Sequence, residues 1–105
     1  MPEGVNLEGM DPRFKRVVEA FSRHGDVTLG WNMGSPNLKV SGKPFAYFDT
    51  SERILIARVS AETINGMANR GEGEPWLSEW IGVRGKSVDW VAIAEQAYEH
   101  VRFYV

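Results

Sequence analysis

A chain of 105 residues with 43 % apolar and 25 % charged residues has room for one hydrophobic core but not two, and carries enough apolar material to fold. It has no cysteine, which excludes disulfides, thiolate metal sites and thiol nucleophiles and leads us to expect a reducing, cytoplasmic setting. The 12 basic and 14 acidic residues leave a net charge of −2, which gives no long-range pull toward polyanions.

In chain order, residues 1–10 contain three glycine or proline residues and little periodicity, so they read as a flexible leader before a domain over 11–105. Their composition is not that of a signal peptide, and no apolar run approaches the roughly 20 residues of a bilayer span, so no membrane passage is expected. Asp11 followed by Pro12 is an N-cap and a first helical position, and Phe14, Val17, Val18 and Phe21 then recur at helical spacing. This helix is expected to end before Gly25, with His24 in its last turn complementing the helix dipole.

From Val27 to Val59 the period shortens, and strands are expected near 27–31, 37–41, 44–49 and 53–59, with hairpin turns at Ser41–Lys43 and Asp49–Glu52. Ser60 caps a short helix whose stripe is Ala61, Ile64, Met67 and Ala68. The segment Arg70–Pro75 reads as a loop and Trp80–Arg84 as a strand. Ser87 is expected to cap a closing helix from Val88 to about Phe103, with Trp90, Ala94, Ala97, Tyr98 and Val101 inward and Glu95, Gln96 and Glu99 outward. The expected class is α+β: an antiparallel sheet of about five strands packed against helices, in the order α-β-β-β-β-α-β-α.

The segment Met33-Gly34-Ser35-Pro36-Asn37-Leu38-Lys39-Val40-Ser41-Gly42-Lys43-Pro44-Phe45-Ala46 resembles the signature of TfoX N-terminal domains. The tryptophan-bearing strand at Trp80–Val83 and the closing helix with Asp89-Trp90 and Ala97-Tyr98 follow in that family's order. The resemblance covers about residues 11–103. It implies a stand-alone domain linked to transcriptional regulation. MmcQ/YjbR-like domains, proposed to bind DNA, share a similar order of elements and are the alternative family.

Motifs that carry chemistry are sparse. Gly85-Lys86-Ser87 lacks the earlier glycine of a phosphate-binding loop, since position 80 is Trp, and reads as a strand-to-helix turn. The two histidines, His24 and His100, lack metal-ligand spacing, so no metal or other cofactor is expected, and no nucleophile elbow occurs. Glu72 and Glu74 read as a solvated pair in a glycine-rich loop.

Lys39, Lys43, Arg53 and Arg58 make the 27–58 segment positive by two charges and would meet phosphates if they shared one face. Four tryptophans are a heavy load for this length; Trp76, Trp80 and Trp90 are candidates for lining a ligand cleft, although Trp80 and Trp90 also fit a core. The leading expectation is a non-catalytic protein-interaction or regulatory module whose partner is another protein. A weak DNA-binding module and a small-ligand binder are the alternatives, and the oligomeric state, a homodimer included, stays open.

Overall fold

In the computed structural model, which describes residues 10–32, 34–85 and 88–105, the chain folds into three helices and six strands. Helix α1 (Pro12–Ala20) begins as its sequence dictates: the Asp11 carboxylate accepts from the Arg13 N–H, and Pro12 occupies the first turn, where a missing N–H costs nothing. The helix stops at Ala20, so His24 lies beyond its last turn. The ring packs instead between Phe21 and Tyr98, at 5.0 and 5.1 Å between centroids, which corrects its expected role at the helix dipole.

Strands β1 (Val27–Asn32), β2 (Ser35–Val40), β3 (Lys43–Asp49) and β4 (Ile54–Arg58) form the expected antiparallel meander. Helix α2 (Ala61–Asn69) then leads to β5 (Glu74–Leu77) and β6 (Trp80–Val83), and α3 (Trp90–Tyr104) closes the chain. The sheet order is β1-β2-β3-β4-β6-β5, antiparallel throughout. The α+β class is as expected, with six strands where about five were expected.

The additional strand is β5, in and just after the segment that reads as a loop. Pro75 cannot donate to a ladder, yet β5 is the sheet edge, where that donor is dispensable, and the register shifts between Pro75 and Leu77. The closing helix also begins later than expected. Asp89 is its cap, accepting from the N–H groups of Val91 and Ala92 at 3.0 and 3.4 Å, whereas Lys86 and Ser87 lie outside the described residues.

Strand alternation sorts the sheet residues onto two faces. Leu38, Ala46, Ala57 and Ile81 follow one another across four strands and join the main core with Phe14, Val17, Phe21 and the α3 residues Trp90, Ala94, Ala97 and Val101. Each fully buried large side chain there contributes roughly 1.5–3 kcal/mol. On the other face the row is Gly30, Asn37, Tyr47, Ile56 and Gly82. Ile54 and Ile56 are buried but stand apart from the main core. Gly82 makes that possible: a Cβ there would come within 3.2 Å of Trp76 Cε3 and 3.1 Å of Ile54 Cδ1, so the glycine lets the indole lie on the sheet.

Candidate interaction groove

Helix α3 supports two stripes. Trp90, Ile93, Ala94, Ala97, Tyr98 and Val101 form its buried side. Ala92, Gln96, Glu99 and Phe103, spaced four, three and four residues apart, form a second line beside it. Across from this line stand Val59, Ser60 and Thr63, at the junction of β4 and α2, and between the two walls lies an open groove of about 820 Å³.

The polar groups of the second wall are largely engaged. Ser60 Oγ accepts from the Thr63 N–H at 3.2 Å as the α2 cap and donates to Thr63 Oγ1 at 3.0 Å. The carboxylates of α3 are not: Glu95 and Glu99 both line the groove, and neither joins any of the six ion pairs found among the described residues. Like charges one turn apart on a helix cost about 0.2–0.5 kcal/mol, so this arrangement is locally unfavourable.

At the C-terminal end of the groove the apolar surface is open. Phe103 is 64 % and Tyr104 81 % exposed. The Arg102 guanidinium lies 5.0 Å from the Phe103 ring centre, and His100 packs at a tilt against Tyr104, 5.8 Å between centroids. His100 Nε2 is buried and has no hydrogen-bond partner among the described residues. The β5–β6 turn closes in nearby: the Arg58 guanidinium bonds Glu79 at 2.6 Å and holds that carboxyl below the usual carboxylate range, with His100 adding a smaller push the same way. Glu79 also accepts the Val59 N–H through its carbonyl at 3.0 Å.

The residues singled out from the sequence fall elsewhere. Lys39 and Arg58 stand on the sheet face away from the helices, two strands apart, which is roughly 10 Å. Lys43 sits in the β2–β3 hairpin and donates to the Val105 carbonyl, while Arg53 sits in the β3–β4 hairpin at the opposite end of the sheet, 3.7 Å from Asp11. Three of the four therefore have partners within the chain, and the four do not form one patch.

Trp76, Trp80 and Trp90 do not share a cleft. Trp90 is buried in the main core, with the Arg13 guanidinium 4.3 Å from its ring centre and Phe48 6.1 Å away. Trp76 and Trp80 lie on the far side of the sheet around Tyr47, whose ring meets Trp80 edge-on at 5.6 Å. Burial raises the Tyr47 hydroxyl above the usual tyrosine range, opposed by the neighbouring polar Trp76 indole. These half-buried indoles roof Ile54 and Ile56, so their visible work is to close a small second core.

Glu72 and Glu74 pair with Arg70 at 2.7 Å and Arg84 at 2.9 Å. Among the described residues no three metal-ligating side chains converge, and no helix is long and apolar enough to cross a membrane. The groove residues were not among the sequence candidates, because Ser60 reads as a cap and Glu95, Gln96 and Glu99 read as a solvated side. Two signals were present: the unpaired Glu95–Glu99 repeat, and an aromatic pair running past the last inward residue, Val101. Compared with protein families, curated proteins and solved structures, the chain matches none.

Proposed function

We propose that the chain is a non-catalytic protein-interaction module, of the TfoX N-terminal-like type that its sequence resembles, and that α3 carries its interface. The supporting observation is the second stripe of α3, where Glu95 and Glu99 are unpaired and Phe103 and Tyr104 are exposed beside an open groove. Exposed aromatic residues next to desolvatable surface are the usual anchors of protein interfaces. The Ser60 hydroxyl is committed to capping α2 and the Thr63 hydroxyl accepts from it, which favours recognition over chemistry. The absence of cysteine fits action in a reducing compartment such as the cytoplasm. DNA binding draws less support, since Lys43, Arg53 and Arg58 are partnered within the chain and two net charges neutralise few phosphates.

The test is comparative capture from native cell extract with wild type and Ala92→Arg, a substitution on the exposed groove wall that should leave the fold intact. A protein retained by wild type and lost by the variant is expected. Equal retention by both, with both folded, would remove the groove from the account.

A further inference from the structure

Resting on that reading, we infer that the groove receives a helical segment of a partner protein that carries lysine or arginine residues one turn apart beside an apolar flank. The lining supplies two carboxylates, Glu95 and Glu99, and no lysine or arginine. These carboxylates are four residues apart, about 6 Å along the helix, and cations at the same interval on a facing helix would meet both. Such a partner relieves the like-charge cost that α3 carries in isolation. From Ala92 to Phe103 the stripe runs for about 16 Å, roughly three turns, which suits a helix laid along it better than a compact small molecule. At its end Phe103 and Tyr104 offer an apolar anchor for the flank of the incoming segment.

Other occupants fit less well. Nucleic acid and anionic lipid surfaces are repelled by the same carboxylates. A second copy of the chain could offer Lys15 and Arg16 of α1, which are exposed, but the large apolar residues of that helix, Phe14, Val17 and Val18, are buried in its own core.

The probes are two synthetic amphipathic helical peptides of about 15 residues, one built of lysine and leucine and the other with glutamate in place of every lysine. Each is titrated into isotopically labelled protein, with binding read by fluorescence anisotropy and the site by backbone amide shifts. The lysine peptide should bind and shift amides from 92 to 103. Glu95→Lys with Glu99→Lys should weaken it roughly tenfold or more, whereas Glu19→Lys on α1 should change it less than about twofold. If the glutamate peptide binds the same amides equally well, the cationic partner is wrong while the groove interface stands. If neither peptide shifts those amides, this inference fails, and the Ala92→Arg capture decides separately whether the groove is an interface at all. Self-association of the wild type that disappears in the double reversal would replace the foreign partner by a second copy.

Discussion

The two stripes of α3 are made by one helix, a few ångströms apart, yet they are finished in different ways. The inward stripe is finished almost wholly inside the molecule: Trp90 is covered by Phe48 and Arg13, although its buried indole N–H has no partner among the described residues, and the Tyr98 hydroxyl bonds both oxygens of Asp26 at 3.0 and 2.8 Å. The groove side of the helix leaves two carboxylates, Glu95 and Glu99, without an ion pair among the described residues and two aromatic rings, Phe103 and Tyr104, largely exposed. On the proposed reading, the contrast separates residues that hold the fold from residues available for a partner.

Substitution should break the two stripes differently. The largest effect is expected at Trp90, where Trp90→Ala removes a buried ring from the junction of α1, α3 and the sheet and should cost about 3–5 kcal/mol, read from urea unfolding. A cost below about 1 kcal/mol would place Trp90 outside the core.

Tyr98→Phe should cost less, about 1.5–3 kcal/mol, because the lost bond is to a charged acceptor. Burial lifts the Tyr98 hydroxyl above the ordinary tyrosine value, and the neighbouring Asp26 carboxylate lifts it further. Since the folded value is the higher one, its stabilisation is whole below about pH 10 and is lost as pH rises from there through the folded value. Stability measured against pH should therefore fall in alkali for wild type and fall less for Tyr98→Phe. Parallel curves would show that the hydroxyl does not carry that dependence.

The smallest effect has the opposite sign. Glu99→Gln on the groove stripe relieves the repulsion from Glu95 and should raise stability by about 0.2–0.5 kcal/mol, a gain that shrinks with added salt. A loss of stability would mean that Glu99 has a stabilising partner in solution.

Much of the inward stripe was legible in the sequence. Apolar residues at helical spacing name Trp90, Ala94, Ala97, Tyr98 and Val101, and all five are buried. Asp11 and Ser60 act as caps, as their types and positions require. Strand β5 was hidden because Pro75 and the glycines around it signal a loop, and only its place at the sheet edge makes the proline acceptable. The three candidate indoles could not be sorted by composition: Trp90 and the Trp76–Trp80 pair lie on opposite sides of one sheet, a separation that depends on strand register and not on residue type. The groove was the least legible feature, since one wall comes from α2 and the other from α3, about 30 residues later, and nothing local in either segment announces the other.

The most direct measurement of the account pairs stability with binding in one variant, Phe103→Ala combined with Tyr104→Ala. Both rings are exposed, so the urea midpoint should stay within the range expected of a surface change, about 0.5 kcal/mol, while the protein captured by wild type is lost. A variant that keeps its partner, or one that unfolds before binding can be read, would contradict the claim that the second stripe of α3 is a surface for recognition and not for folding.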